Sequence, residues 1–438
     1  MTAPAPMRLA VLTLTVLVAA GAHAQGQNNY GSVYSRYGLG ERIEFGSSQG
    51  SMLGYSGVGL RSGTYVQLTN PALWSDQAVT TFSAGASVAT VRGEDENTPE
   101  ASTGTAGDLS SLHLGIPLLA SRLGAVVSYR PYSRVNYRAA VRDSISVEGD
   151  MVPYTLNQEG SGGLQQISGG LGVRIGRSLQ VGATADYLFG TQEQLQRTQF
   201  DDGRFLQARQ SRATRLRGLT ATLGAAFTAS SLASEDDALT LGAAVTLPTT
   251  LNGERTVTIG ESLDRDTLRT SDGQASLDGD VDLPLSVRGG LSYRSGLRWA
   301  ASLDALYEPW SGFESALPLG GYAPGGEDLL TDRYRVGGGF EITPAGRERR
   351  AGVFQRSSYR IGAYTERGLY APTDSDVMTY ALTGGLSVPS RITGARLDLG
   401  VEVGTRGSAG SVLVRDSFLR GTVTINFGER WFVRRRFN

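Results

Sequence analysis

The chain has 438 residues, no cysteine, two histidines and a formal net charge of −1. Disulfides, thiolate chemistry and cysteine-based metal sites are therefore excluded, and the balanced charge removes any electrostatic case for a nucleic-acid partner. The length admits two or three soluble domains or one large barrel. Every cationic side chain is arginine, which codon bias in a GC-rich genome explains more readily than function does, and glycine is heavy at 59 residues.

The N-terminus reads as a secretory signal over residues 1–24. MRLAVLTLTVLVAAGAHA has a short basic start at Arg8, an apolar core from Leu9 to Ala20, and small residues at Ala22 and Ala24. The core is too short to span a bilayer, where roughly 20 apolar residues are needed. Met7 is an alternative start, because only from there does the charged region directly precede the core. Cleavage after Ala24 removes His23 and leaves an exported chain beginning at Gln25.

Residues 25–77 carry many glycines and aromatics but no sustained alternation. The segment is too aromatic for a flexible leader and too irregular for a domain with its own core.

From Ala78 the pattern changes to runs of about ten residues that alternate apolar with small or polar, the signature of strands. In LRWAASLDALY, Leu297, Trp299, Ala301, Leu303, Ala305 and Tyr307 share one face, against Arg298, Ser302 and Asp304. ARLDLGVEV sets Leu397, Leu399, Val401 and Val403 against Arg396, Asp398 and Glu402. Fourteen strands are predicted at 78–92, 106–117, 121–131, 161–177, 178–192, 213–229, 237–252, 281–295, 296–308, 332–344, 355–367, 376–389, 393–406 and 414–428.

Three features separate a membrane barrel from a soluble sandwich. Aromatics such as Tyr187, Phe189, Trp299 and Tyr307 cluster towards strand ends on the apolar face, as a membrane girdle requires. The other face carries full charges, which a dry sandwich core rejects and a water-filled lumen accepts. Short turns such as IGRS and RSG alternate with long joins such as 132–160, 253–280 and 309–331. The expectation is an all-β, closed transmembrane antiparallel barrel over 78–428. Both barrel ends then lie on the periplasmic side, followed by a tail at 429–438. Residues 25–77 become an N-terminal hatch that buries its aromatics in the lumen. In it, Asn70 caps a turn of helix and Pro71 takes the first helical position, where its missing N–H goes unused.

The order of signal, glycine-rich segment, LTNPALWS (Leu68 to Ser75) and alternating barrel resembles the FadL/TodX family of outer-membrane transporters for hydrophobic compounds. YSRYGLGE (Tyr34 to Glu41) and FGERWFVRRRFN (Phe427 to Asn438) also resemble FadL-like proteins of the Bacteroidota. The resemblance implies fourteen strands and a hatch, with ligands entering from outside and leaving sideways at a kinked third strand. It places Asn70, Pro71 and Ala72 at the hatch's gating element and Pro131, at the outer end of the third strand, at a candidate lateral opening. A proline there also simply ends a strand.

Arg288, Arg298, Arg360 and Arg396 are predicted to face the lumen with Asp304, Asp398 and Glu402, and any one arginine suits a carboxylate ligand. The implied function is passive uptake of hydrophobic compounds. Two other readings stand beside it: an accessory or anchor protein of a secretion system, and a general porin for polar solutes. His113 faces inward as a lone polar filler and no enzyme activity or cofactor is expected. Asp278, Asp280 and Asp282 read as a solvated acidic loop or, less simply, a calcium site, and Gly93–Glu100 as an external loop tip.

Overall fold

The computed structural model describes residues 30–96, 101–260, 269–270, 276–326, 328–346, 348, 350–372, 375–390, 394–410 and 413–429. The signal segment and the tail beyond Glu429 lie outside the described residues, as does most of the loop tip at Gly93–Glu100.

Among the described residues fourteen barrel strands close into one antiparallel sheet. They are β1 Thr80–Glu94, β2 Ser102–Leu119, β3 Leu123–Pro131 resuming at Tyr137–Val147, β4 Asp150–Ile175, β5 Leu179–Phe200, β6 Ala208–Ser230, β7 Asp237–Thr246 resuming at Thr249–Gly260, and β8 Leu277–Leu283 resuming at Ser286–Ser295. Then follow β9 Trp299–Glu308, β10 Arg333–Ile342, β11 Ser358–Arg367, β12 Met378–Pro389, β13 Ala395–Arg406 and β14 Arg415–Glu429. β14 pairs with β1 from Thr80↔Glu429 to Glu94↔Arg415, which removes the free edge that lipid would not tolerate.

Alternation sets the two faces. Val127, Leu171, Leu219, Leu241, Leu303, Ile361, Leu382, Val403 and Leu419 stand exposed on the outside. That band needs hydrocarbon around it rather than water. Thr184, Asp186, Asp304, Arg360, Asp398 and Glu402 lie buried on the inside. Short turns and both barrel ends share one rim, the periplasmic one by the rule for such barrels.

The wall departs from a regular barrel in two ways. β4, β5 and β6 run 26, 22 and 23 residues, whereas about 9–11 cross a bilayer, so their outer halves stand above the membrane. The expected long loop at 132–160 largely belongs to the upper part of β3 and to β4, and of the one at 253–280 residues 253–260 and 277–280 lie in β7 and β8. Second, β7 breaks at Leu247–Pro248 and β8 at Pro284–Leu285, where proline has no N–H for the ladder. The lower halves of β7 and β8 pair with each other, and so do the upper halves.

The N-terminal segment from Tyr30 to Gln77 fills the lumen as a plug. On the outer side it meets an apolar core in which Tyr34, Tyr37 and Leu39 pack with wall residues such as Leu188 and Leu216. Trp310, Phe313 and Leu317 of the join between β9 and β10 complete that core from above. The lumen is therefore capped from outside by the chain's own apolar loop.

Candidate functional site

Asn-Pro-Ala begins a 3-10 turn, Pro71–Asp76, with Pro71 in its first positions and Asn70 as cap. The Asn70 carboxamide oxygen accepts from Ala72 N–H at 3.0 Å. Its NH2 donates to Val58 O in the plug at 2.8 Å and to Ala225 O in β6 at 3.0 Å. One fully buried side chain thus caps the turn, ties the plug to itself and ties the plug to the wall.

The turn lies flat against the wall because the wall has no side chains there. Gly124, Gly172, Gly182 and Gly224 are successive register partners across β3, β4, β5 and β6. A Cβ would sit 2.0 Å from Trp74 O at Gly124 and 2.3 Å from Pro71 O at Gly172. At Gly182 it would sit 2.5 Å from Pro71 C, and at Gly224 2.2 Å from Asn70 Oδ1. Only glycine permits backbone to touch backbone in this way. Alternation, which marks only apolar and polar faces, gives no sign of this row; the signal present in the sequence is glycine recurring on the inward face of adjacent strands.

The inward charges are spent on the plug. Glu44 holds Arg288 at 2.8 Å and Arg333 at 2.9 Å, and Arg333 also reaches Glu308 at 3.0 Å and Glu366 at 2.9 Å. Glu41 pairs with Arg406 at 2.7 Å. Asp304 accepts the backbone N–H groups of Gly57 and Val58 at 2.5 and 2.8 Å. Arg360 pairs with Glu341 at 2.6 Å and donates to the Tyr65 hydroxyl at 3.0 Å. Burial alone would push the Glu41 carboxyl up, but Arg406 and Arg420 outweigh it and hold it at about 2. The same opposition, with Arg288 and Arg333 winning, keeps Glu44 well below the ordinary carboxylate range.

What remains open between Glu41, Glu44, Arg333 and Arg406 is a cavity of about 90 Å³. The expected water-filled lumen is thus corrected to an ion-paired, plug-filled one, because the plug brings a partner for most wall charges. Arg288, Arg360 and half-buried Arg396 lie on the inward face. Arg298 does not: it lies exposed in the turn between β8 and β9, one residue before the strand begins. His113 is buried, with Nδ1 3.4 Å from the Ser111 hydroxyl. Asp278, Asp280 and Asp282 form part of β8 rather than a loop, because Val281 and Leu283 between and beside them bury inward. Among the described residues no group of three or more His, Asp or Glu side chains is placed to hold a metal ion.

Pro131 ends the lower half of β3, opposite Gln165 of β4. The chain then turns into the lumen, where Ser133 and Arg134 pair with Arg42 and Glu41 of the plug. Tyr132 and Val135 N–H still reach Leu164 O and Gly162 O of β4, at 2.8 and 2.9 Å. The strand resumes outside at Tyr137. Among the described residues, β2 from Ser102 to Ser111 has no strand partner on the β3 side, and Tyr137–Val147 has none on the β2 side. This is a seam in the wall.

The plug's outer end lies in the seam. Gly31 N–H donates to Asn136 O at 3.1 Å, and Arg138 stands over the Tyr30 ring at 5.4 Å. On the other bank a Cβ at Gly104 would meet Tyr30 O at 2.0 Å.

A fourteen-stranded barrel filled by an N-terminal plug and broken at its third strand defines an outer-membrane barrel of the FadL type. The chain belongs to the BamG family, whose model matches residues 7–438. No curated protein matches it. Among solved structures it is similar to the P. putida toluene transporter TodX, with a TM-score of 0.57 at 14% identity, covering 89% of this chain and 99% of that one. The CymD monoaromatic hydrocarbon channel gives 0.55 at 14% identity, with 89% and 99% covered. A Pseudomonas aeruginosa FadL homologue gives 0.57 at 10% identity, with 88% and 99% covered. At such identities the likeness shows the shared fold. A barrel of this family belongs in the outer membrane of a Gram-negative bacterium.

Proposed function

We propose that the protein is an outer-membrane channel for passive uptake of hydrophobic compounds, gated by its N-terminal hatch, with no catalytic role. The observation that carries this reading is the seam. In a wall whose backbone groups must be satisfied in lipid, β2 leaves its edge from Ser102 to Ser111 without a strand partner among the described residues, beside the break after Pro131. That break admits an apolar solute sideways without passage through the charged plug. The outer half of the lumen supplies apolar side chains at the same level. Similar structures named as toluene transporters and monoaromatic hydrocarbon channels point to small aromatics.

In this reading Asn70, Pro71 and Ala72 hold the hatch in register and Pro131 ends the lower strand so that the chain leaves the wall. Arg288 and Arg360 position the hatch through Glu44 and Tyr65. Toluene uptake into cells that carry the protein as their sole channel of this type tests it. Saturable uptake above that of channel-free cells is expected, and uptake equal to those cells contradicts it.

One observation favours a second reading, an anchor for other proteins such as a secretion system. The plug is tied to the wall by buried ion pairs around a cavity of only about 90 Å³, so the barrel serves as a rigid platform without conducting anything. The same closure argues against a general porin, and steady ion conductance of the native protein in planar bilayers would restore that reading.

A further inference from the structure

At the periplasmic rim a pocket of about 280 Å³ opens between the plug and the turns that precede β9, β11 and β13. Four arginines line it, Arg294, Arg356, Arg360 and Arg396, against two acids, Glu341 and Glu348. Glu341 is already taken by Arg360 at 2.6 Å. Arg294 donates only to a backbone carbonyl, Arg61 O, at 2.8 Å. Arg396 donates to the Ser387 hydroxyl at 2.9 Å and to the Ser358 hydroxyl at 3.4 Å. Neither has a carboxylate partner among the described residues. This contrasts with Arg288, Arg333, Arg406 and Arg420 higher in the lumen, each of which has one.

The pocket has an apolar rim. In the join between β10 and β11, Phe354 is 77% exposed and Val353 46% exposed, beside the half-buried Arg356. Both lie on the periplasmic side, in the join rather than in a strand of the wall. Two half-buried guanidiniums with no carboxylate in direct contact among the described residues are desolvated at a cost that an anion would offset. An exposed phenylalanine next to them adds the apolar contact typical of a binding hot spot.

We infer that this pocket docks an acidic segment of a periplasmic protein, its carboxylates on Arg294 and Arg396 and an apolar side chain on Phe354. Plug residues Gln49 and Tyr65 form the inner wall at the lumen mouth, and only Leu297 and Trp299 of the lining belong to the outward apolar face. A peptide therefore fits better than a lipid headgroup. This inference is independent of the channel reading, since it concerns the opposite rim from the seam.

Fluorescence anisotropy on the full-length protein in detergent tests it, with a fluorescein-labelled decapeptide of glutamates and one leucine. Its glutamine counterpart serves as control. Saturable binding of the acidic peptide is expected, weakened at least tenfold by the Arg294→Gln/Arg396→Gln pair. A Phe354→Ala/Arg356→Gln variant, altered only on the periplasmic join, should weaken it several-fold and guards against misfolding of the first. Arg142→Gln, on the outer hairpin, should bind as the native protein does. Equal binding of the glutamine peptide, or binding unchanged in both pocket variants, overturns the inference. So does full competition by phosphatidylglycerol micelles, which would reassign the pocket to a headgroup.

Discussion

Asn70 is the residue on which the plug's lower end turns, because a carboxamide alone can accept from Ala72 N–H while donating to Val58 O and Ala225 O. Asn70→Ala should lose a cap, about 0.5–2 kcal/mol, and the buried donor to Val58 O and Ala225 O, for about 2–4 kcal/mol in all. Asn70→Asp should be no better: it keeps the cap but sets a carboxylate against two carbonyls. Urea unfolding in lipid vesicles measures both, and an Asp variant as stable as the native protein would contradict the three-bond account.

Glu41 carries a pH prediction. Its carboxyl is held at about 2 against an ordinary 4.5, so its contribution is fully present above about 4.5 and is lost as pH falls through about 2. Protease protection of the plug should therefore be level from pH 7 to 5 and decline between about 4 and 2, less steeply in Glu41→Gln. At this scale the Asn-Pro cap was legible in the sequence, since cap and proline are local chemistry. Arg298 was not, because alternation extrapolated one residue past a strand end puts a turn residue in the lumen.

Among elements, the turn Pro71–Asp76 depends on the glycine row beneath it. Gly182→Leu would place a side chain where a Cβ alone comes within 2.5 Å of Pro71, against backbone that cannot move aside. The plug's lower end should lift, and ion conductance in planar bilayers should rise from near silence to measurable steps; silence would show that the upper contacts suffice to seal the lumen.

β3 gives the opposite expectation. Pro131 ends the ladder, but the inward turn is also held by Ser133 and Arg134 pairing with the plug and by Gly162 and Gly163 of β4 at φ +92° and +130°. Pro131→Ala should leave toluene uptake within about twofold of native, whereas replacement of both glycines by alanine should cut it several-fold. Strand existence was legible because period two reports two environments. The breaks in β3, β7 and β8 were less so, since a proline that ends a strand and one that interrupts it look alike until the pairing of the next segment is known.

At the scale of the whole molecule the described residues combine a closed wall, a plug tied in by charge, and a seam stopped by the plug's outer end. Closure and plug follow from composition and alternation. The seam does not, because it arises where the chain after Pro131 leaves the wall to pair with Glu41 and Arg42, far back in the plug.

The absence of native cysteine allows one direct test of the claim that solutes pass there. A Cβ at Gly31 would lie 3.8 Å from that of Asn136, the separation a disulfide prefers. In the Gly31→Cys/Asn136→Cys variant, oxidation should pin the plug in the seam and abolish toluene uptake, and reduction should restore it. Uptake that is the same in the oxidised and reduced protein would contradict passage through the seam.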